Sequence, residues 1–288
     1  MTSFNKIQCL DKGYVILHDV MGSDLTVVNA ARCSYDKKSE ELTEKDKRLI
    51  KFLAKHGHTS PFRHATLQFE VYAPLMVARQ HFKYLVGSSF QEPSGDNMMA
   101  WNESSRRYVT EEPTFYIPRA DEWRSAPENS KQGSGEPVSE NLGAYFTEEL
   151  LNYIEQGEEL YRQALASGIC AEQARLFLPA YGMYVRYYWT ASLQSVAHFL
   201  NQRLSHDAQA EITEYAKAIY QLASEKFPVS ISELVTGGVT MADDVTYWRI
   251  KVLLAEKRLQ EANLDLWYAR QQLTEAQRKQ AELLKEAE

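Results

Sequence analysis

The periodicity of apolar side chains changes part-way along this 288-residue chain, and the change constrains the fold more than any single motif does. Within residues 13–35, the segments 14–20 and 25–28 on either side of a turn at 21–24 favour β-strands, and so do residues 65–72, where apolar and polar side chains alternate. Later in the chain apolar side chains recur at helical spacing over residues 141–167, 171–178, 181–203 and 207–226. We therefore predict an α+β fold with a mixed strand and helix N-terminal half and a helical C-terminal half.

Shorter signals place the first helices and the loops. Residues 43–55 read as an amphipathic helix that begins at Thr43 as N-cap, has Asp46 three residues on, and ends at a His-Gly-His turn. Pro74 is expected to begin a helix that runs to about residue 83. Two segments rich in turn-forming residues are expected to be loops, residues 86–99 and 124–138.

The C-terminal segment has a different pattern. Apolar or small side chains recur there at alternating spacings of four and three, at Trp248, Val252, Ala255, Leu259, Ala262, Leu266, Ala269, Leu273, Ala276, Gln280 and Leu283. This heptad seam predicts a long helical, coiled-coil-like tail over residues 243–288, separate from a domain at residues 1–238. We interpret the tail as an oligomerisation or packing arm, with an exposed single helix as the alternative.

Charge and composition narrow the function classes. A net charge of −7 and a pI near 5.6 provide no overall basic field for a nucleic acid polymer, so we expect a small substrate bound by local arginines.

The three cysteines, Cys9, Cys33 and Cys170, show no disulfide or zinc spacing and read as reduced core thiols. The seven histidines show no metal-ligand spacing either, so no metal is predicted. No basic leader or apolar run of ~18 residues is present, so we expect no membrane association and a location in the cytoplasm, or in the host cytoplasm if the source is a virus.

Residues 101–108, Trp-Asn-Glu-Ser-Ser-Arg-Arg-Tyr, carry the densest polar chemistry of the chain. Arginine presents a planar fork of donors that matches a phosphate, and serine hydroxyls or backbone N–H groups supply further donors. A nucleotide monophosphate would suit this set, and a solvated loop is the alternative interpretation.

Six blocks in order, this motif included, give the chain a family resemblance. They are residues 27–35, 56–64, 73–80, 101–108, 172–179 and 199–203, the last followed by Asp-Ala-Gln-Ala-Glu-Ile at 207–212. Over roughly residues 10–237 the chain resembles the flavin-dependent thymidylate synthases, which are unrelated to the synthases that use a cysteine nucleophile.

The resemblance implies a reaction and its ligands. Enzymes of this family bind FAD, reduce it with NADPH, take a methylene group from 5,10-methylenetetrahydrofolate and convert dUMP to dTMP. It also implies a homotetramer with active sites at the subunit interfaces. No cysteine of this chain lies in the Pro-Cys-His context of the other synthases, so no enzymic nucleophile is expected.

The resemblance also implies the site residues. The dUMP positions correspond to Gln80, His81, Phe82, Lys83, Glu103, Ser104, Ser105, Arg106, Arg107, Arg175 and Arg203. The FAD positions correspond to His58, Ser60, Lys83, Tyr84, Leu85, Glu103, Ser192, Gln194 and His198. Arg203 is the implied catalytic residue, whose charge would stabilise a uracil ring deprotonated at N3.

Several positions depart from the common family pattern. The usual Arg-His-Arg triplet is Lys83-Tyr84-Leu85 here, and about twelve extra residues separate it from Trp101. Asn and Arg are usual where Ser192 and Gln194 stand, and His is usual where Asp207 stands. Two alternatives therefore remain: a flavin- and folate-dependent dUMP hydroxymethylase, and a non-catalytic nucleotide-binding scaffold that works through its tail.

Deletion of residues 243–288 tests the predicted division of the chain. We expect the shortened protein to change in assembly or thermal stability but to bind dUMP as the full chain does, because none of the implied nucleotide positions lies in the tail. Light scattering reports the assembly and calorimetry the binding. A shortened protein that cannot bind dUMP would contradict the division.

Overall fold

A computed structural model describes residues 5–35, 37–89, 100–103, 113–127 and 133–236. They belong to one compact unit, Met1–Gly238, and the predicted tail lies outside the described residues.

The strands are β1 (Lys6–Cys9), β2 (Gly13–Met21), β3 (Thr66–Pro74), β4 (Ala100–Glu103) and β5 (Tyr184–Ser192). The α-helices are α1 (Asp24–Ala31), α2 (Glu44–Lys55), α3 (Leu75–Ser89), α4 (Glu140–Ala166), α5 (Ala171–Ala174), α6 (Leu193–Arg203), α7 (Ala210–Lys226) and α8 (Pro228–Leu234). Short 3₁₀ turns occupy Cys33–Tyr35, Ser60–His64 and Arg175–Phe177. The predicted α+β class is confirmed, and no helix in the described part of the chain is long and apolar enough to cross a membrane.

The strands form one antiparallel sheet in the order β1-β2-β3-β5-β4. β5 pairs with β3 along its full length and with β4 on its other edge. Paired residues of antiparallel strands project to the same face, so Phe69, Trp189 and Trp101 form one row across three strands. Helices α3, α6 and α7 pack on this face, and Phe69 and Trp189 are buried beneath them.

The prediction of one helix over residues 181–203 is wrong. The segment is strand β5 followed directly by helix α6. Its aromatic and β-branched side chains alternate between buried Tyr187 and Trp189 and exposed Arg186 and Tyr188, which is the period of a strand. The helical C-terminal half of the prediction therefore contains a central strand of the sheet.

The prediction of a strand at residues 25–28 is also wrong, because these residues belong to α1. The backbone N–H of Ser23 donates to Thr26 Oγ1 at 3.0 Å, which caps the first turn. The buried Asp24 carboxylate accepts 2.9 Å hydrogen bonds from the backbone N–H groups of Val229 and Ser230 at the start of α8. These tertiary contacts override the strand preference of the β-branched run.

The remaining predictions of short elements are confirmed in part. Helix α2 with Thr43 as N-cap and the turn after it are confirmed. Helix α3 begins at Leu75 rather than at Pro74, and it continues to Ser89, so residues 86–89 are helical and not a loop. Residues 90–99 lie outside the described residues. Within 124–138 the described residues are irregular apart from a bridge between Arg124 and Pro137, as predicted.

The expectation of core thiols holds for one cysteine. Cys9 is buried at the end of β1, whereas Cys33 and Cys170 are exposed. Both exposed cysteines lie in connections between helices rather than on a buried face of a helix or strand. No disulfide joins the three.

The opposite face of the sheet holds a polar cluster around Glu70. This carboxylate accepts hydrogen bonds from Tyr14 at 2.8 Å and Tyr188 at 2.9 Å, and lies 2.7 Å from the His18 ring. Desolvation alone would raise the pKa of Glu70, but these three hydrogen-bonding groups together lower it. The cluster thus ties β2, β3 and β5 together on the face away from the helices.

Loss of the Asp46 carboxylate in α2 is predicted to destabilise the protein. Its buried carboxylate accepts from the Thr43 backbone N–H at 2.9 Å and pairs with Arg32 at 2.5 Å. Replacing Asp46 by Asn leaves the half-buried Arg32 charge without its partner, and we expect a loss of about 3 kcal/mol in the free energy of unfolding. Glu44→Gln, in the same turn but exposed, is the matched control and should have little effect.

Wild type and Asp46→Asn also provide a test of how stability depends on pH. Desolvation raises the pKa of Asp46, but hydrogen bonds from Thr43 and the charge of Arg32 outweigh it and hold the pKa below its usual value. The stabilisation is therefore complete above about pH 5, where the unfolded carboxyl is fully ionised, and is lost as the pH falls through the lower pKa of the folded state. Denaturant unfolding curves should show the gap between wild type and Asp46→Asn closing only in acid. A gap that closes near neutral pH would contradict this assignment.

Candidate active site

Three neighbouring elements bring together most of the described site residues. Gln80, His81, Phe82 and Lys83 lie on α3, Glu103 ends β4, and the positions on α6 are Gln194, His198 and Arg203. Helices α3 and α6 pack against each other and against β5. The second and third turns of α3 and the length of α6 therefore form the frame of a candidate site.

His81 is the buried centre of this frame. Its side chain is 1% exposed, its Nδ1 lies 2.9 Å from the Tyr187 hydroxyl, and its ring stacks on Phe199 with centroids 4.2 Å apart. Trp189 meets the ring edge-on at 4.3 Å and Trp101 at 5.5 Å. Desolvation and, to a lesser degree, the charge of Arg203 lower the pKa of His81 to about 3, so the imidazole is neutral at physiological pH. His81 therefore packs inside the protein and positions the residues around it, and its ring is not exposed to solvent.

Trp101 explains how the short strand β4 is held. Its indole stacks on the Tyr187 ring with centroids 4.0 Å apart, and the phenol of Tyr187 reaches His81. Glu103 pairs with Tyr187 in the sheet and so projects to the same helix-covered face as Trp101. The Glu103 side chain is partly exposed, and its burial raises its pKa. The Trp-Asn-Glu motif thus anchors the edge strand with its tryptophan and delivers its carboxylate beside the His81 cluster.

Arg203 is oriented from the next helix. It is the last residue of α6, and its guanidinium donates to Gln209 Oε1 at 3.1 Å. Gln209 is the N-cap residue of α7, and Thr213 of the same helix donates to the Arg203 carbonyl at 3.1 Å. The side chain is half-buried, so its charge is partly removed from water. A fixed, partly desolvated guanidinium is suited to stabilising negative charge on a bound ring or phosphate.

Several buried polar atoms of the frame have no hydrogen-bond partner within the described part of the chain. They include Gln80 Oε1 and His81 Nε2 on α3, and Gln194 Oε1 on α6. Leaving such an atom unsatisfied costs about 1–3 kcal/mol, which a bound ligand or water can recover. The two amide oxygens are acceptors, and the imide N–H of a uracil or an isoalloxazine ring is a donor. The atoms present therefore fit a flavin and a pyrimidine base.

One of the implied flavin positions serves helix α6 itself. Ser192 is the N-cap of α6, and its Oγ accepts from the Ser195 backbone N–H and contacts the Ser195 hydroxyl, both at 3.2 Å. This buried hydroxyl is therefore engaged inside the protein. His198, another implied flavin position, lies further along α6. Burial lowers the pKa of His198, which favours a neutral imidazole there.

The remaining implied residues lie at the edges of the frame or beyond it. His58 and Ser60 are exposed in the connection after α2, and the 3₁₀ turn that Ser60 opens packs against α6 and β5. Phe82 and Lys83 are exposed on α3, and the backbone of Tyr84 and Leu85 continues that helix. Four of the implied dUMP positions lie outside the described residues, namely Ser104, Ser105, Arg106 and Arg107.

Arg175 occupies a different part of the fold. It caps the C-terminus of α5 and opens the 3₁₀ turn that packs against α4. Gly157 of α4 permits this contact, because a Cβ atom there would lie 2.6 Å from the Phe177 carbonyl oxygen. Leu176, Phe177 and Tyr181 beside it are all exposed. The structure thus places Arg175 in an exposed apolar surface.

Sequence reasoning missed two residues that position the site. Tyr187 holds His81 and stacks on Trp101, and Gln209 holds Arg203. Tyr187 lies within the segment predicted as helix, so its partners across the sheet were not visible. Gln209 lies in the 207–212 block, but nothing in the sequence distinguishes it from a surface glutamine.

Comparisons with known proteins agree with this frame. The model of a family described as thymidylate synthase complementing protein matches residues 16–229. A flavin-dependent thymidylate synthase of Thermotoga neapolitana is 38% identical over 226 residues, which cover 77% of this chain and 91% of that relative. The corresponding protein of Thermus thermophilus is 37% identical over 228 residues, with 78% of this chain and 76% of that relative covered.

A solved structure is similar as well. The UMP/dUMP methylase PolB from Streptomyces cacaoi, bound with 5-Br dUMP, has 27% sequence identity and a TM-score of 0.66. The match covers 81% of this chain and 98% of that one. Fold and sequence thus point to the same group of proteins.

The buried neutral state of His81 predicts a pH dependence of stability. Its pKa is lowered on folding, so the unfolded chain binds a proton that the folded chain does not, and stability falls with pH below about 6.5. Between pH 7.5 and 5.5, wild type should lose about 1.4 kcal/mol more unfolding free energy than His81→Asn, which lacks the titrating group. Denaturant unfolding at the two pH values measures the difference. Equal losses in the two proteins would show that folding does not lower the pKa of His81.

Proposed function

Because the chain belongs to the family of flavin-dependent thymidylate synthases, we propose that it methylates dUMP at C5 to give dTMP. The chain is a methyltransferase of that family, and FAD is the family's cofactor. We further propose 5,10-methylenetetrahydrofolate as the one-carbon donor and NADPH as the reductant. The observation that carries the proposal is the placement of Arg203, fixed by Gln209 beside the neutral His81 cluster.

Arg203 stabilises the reacting pyrimidine. C5 of uracil becomes nucleophilic when negative charge accumulates on the ring, and a guanidinium beside the N3–C4 edge favours that charge. Gln209 keeps the guanidinium in one orientation, so little reorganisation is needed when the ring binds. Because His81 is neutral, it does not compete with Arg203 for the anionic ring.

The acceptors of α3 and α6 orient the rings. Gln80 and Gln194 can each accept the imide N–H of a flavin, or that of uracil before N3 loses its proton, which recovers the hydrogen bonds that their buried amide oxygens lack. FAD, when bound, supplies hydride for the reduction of the transferred one-carbon unit. Lys83 is an exposed cation of α3 that can contact a flavin phosphate, but as a point charge it cannot reproduce the two-pronged contacts of arginine.

No cysteine is required as a nucleophile in this proposal. Cys9 is buried at the edge of the sheet, where its Sγ lies 3.9 Å from the carbonyl oxygens of Ile7 and Glu214. Cys33 and Cys170 lie in exposed connections, outside the frame of α3, β4, β5 and α6. Charge stabilisation by Arg203 takes the place of covalent activation.

The site is completed by a second copy of the chain. Arg175 is surrounded by the exposed apolar side chains of Leu176, Phe177 and Tyr181, and clustered exposed apolar residues are typical of subunit interfaces. Association over this surface would carry Arg175 to the nucleotide of a neighbouring subunit as a second phosphate-binding guanidinium. A homotetramer with shared sites accounts for both the exposed apolar surface and the position of Arg175 within it.

A second substrate is a candidate on one specific observation. The similar solved structure is a methylase of both UMP and dUMP. The chain is therefore to be assayed with both nucleotides. The product mass also separates methylation from the hydroxymethylase alternative, because the hydroxymethyl product is heavier by one oxygen.

The decisive experiment is an anaerobic assay with FAD, NADPH, methylenetetrahydrofolate and dUMP or UMP, read by product mass. We expect dTMP from the wild type, and a fall of about a hundredfold or more in kcat for Arg203→Ala with bound FAD unchanged. Arg162→Ala, an exposed arginine of α4 paired with Glu159, is the matched control and should retain activity.

Three outcomes would change the proposal. Equal loss of flavin and activity in Arg203→Ala would remove its role at the uracil. A product heavier than dTMP by one oxygen would favour the hydroxymethylase. Absence of both product and bound flavin in the wild type would favour the scaffold.

A further inference from the structure

A cavity of about 380 Å³ is lined by none of the implied nucleotide or flavin residues. Its walls come from the segment 113–127, helix α4 and the first turns of α3 and α7. The apolar part of the wall includes Phe115, Trp123, Leu150 and Ile154. This volume is in the range of sites that hold small organic molecules, about 300–1,000 Å³.

The cavity wall is held by specific contacts. Phe115 and Ile154 belong to one buried cluster, against which Leu150 packs. The indole N–H of Trp123 donates to Thr147 Oγ1 at 2.9 Å, which fixes the ring against α4. Gly143 lets the chain approach α4 closely, because a Cβ atom there would collide with the carbonyl oxygen of Ala120. The cavity is thus built by ordered side chains on a regular helix.

Two carboxylates line this largely apolar space. Glu122 is engaged with Arg119, which contributes its backbone N–H at 2.9 Å and its guanidinium at 3.3 Å. Glu211, in the first turn of α7, is half-buried, and in the described part of the chain no cation lies within ion-pair distance of it. Arg124 also lines the cavity, but its side chain is exposed to water. Glu211 therefore contributes a negative charge that the described protein does not neutralise locally.

Tyr116 adds an unused donor. Its side chain is only 7% exposed, and its hydroxyl makes no hydrogen bond to any described residue. Burial, followed by the nearby charges of Glu122 and Glu211, raises the pKa of Tyr116, so the phenol keeps its proton. A largely buried phenol that keeps its proton, beside a carboxylate with no ion-pair partner in the described part of the chain, suits the polar group of a ligand.

We propose that this cavity is a binding site for a small molecule that carries an apolar ring and one ammonium group, with the ammonium beside Glu211. The apolar wall takes the ring, and the carboxylate takes the charge. The anionic substrates of the nucleotide site are disfavoured here, because they would meet Glu122 and Glu211. The inference does not rest on the proposed reaction.

Three probes of nearly equal shape test the charge requirement by calorimetry on the full-length protein. They are 2-phenylethylamine, the neutral 2-phenylethanol and the anionic 3-phenylpropionate. We expect the amine to bind about tenfold more tightly than the alcohol, because one partly desolvated ion pair contributes about that much to affinity. We expect no binding of the carboxylate.

Two variants assign the discrimination to one residue. In Glu211→Gln the preference for amine over alcohol should fall to about onefold, whereas Glu225→Gln, exposed on the same helix, should keep it. The ratio of two ligands within one protein is insensitive to a general change in stability, and thermal denaturation verifies that both variants fold. The indole N–H signal of Trp123, identified from Trp123→Phe, should shift when the amine binds.

Each other result would overturn the inference. Equal affinity for amine and alcohol in the wild type, or no binding in the millimolar range, would show that Glu211 does not define a cation site. An unchanged preference in Glu211→Gln would place the amine elsewhere. Displacement of the amine by dUMP or deoxyuridine would show that the cavity is part of the nucleotide site.

Discussion

The pairing of β5 between β3 and β4 is the constraint on which the rest of the structure depends. Its register with β3 runs without a break from Thr66 opposite Ser192 to Pro74 opposite Tyr184. That register turns Tyr187 and Trp189 toward the helices and leaves Ser192 at the end of β5 as the N-cap of α6. A slip of one residue would turn both rings to the opposite face, so the His81 cluster and the start of α6 would be lost together.

Stability and chemistry are coupled through the cluster that this register creates. His81 is neutral because it is buried, and it is held because Tyr187 satisfies Nδ1, while Nε2 and the amide oxygens of Gln80 and Gln194 lack partners in the described structure. These atoms destabilise the empty protein and become favourable when a ligand supplies donors or acceptors. Ligand binding should therefore stabilise the fold by mass action, in addition to enabling the reaction.

The acidic character of the chain gives the few cationic positions their meaning. With a net charge of −7, an anionic nucleotide is not attracted by the protein as a whole and depends on individual guanidiniums. Arg203 is held within the frame, whereas Arg175 is presented on an exposed apolar surface. The cavity lined by Glu122 and Glu211 has the opposite polarity, so one domain offers separate environments for anionic and cationic small molecules.

The sequence alone determined the α+β class, helix α2 with its cap at Thr43, strand β3 and the family, because these depend on local periodicity, capping chemistry and motif order. It misassigned α1 and β5, since aromatic and β-branched runs are compatible with either element until a partner is known. Only the tertiary structure decided which face each element buries. The neutrality of His81, the orientation of Arg203 by Gln209 and the acidic cavity arise from residues far apart in the chain, and burial and electrostatic interaction depend on distance in space rather than along the sequence.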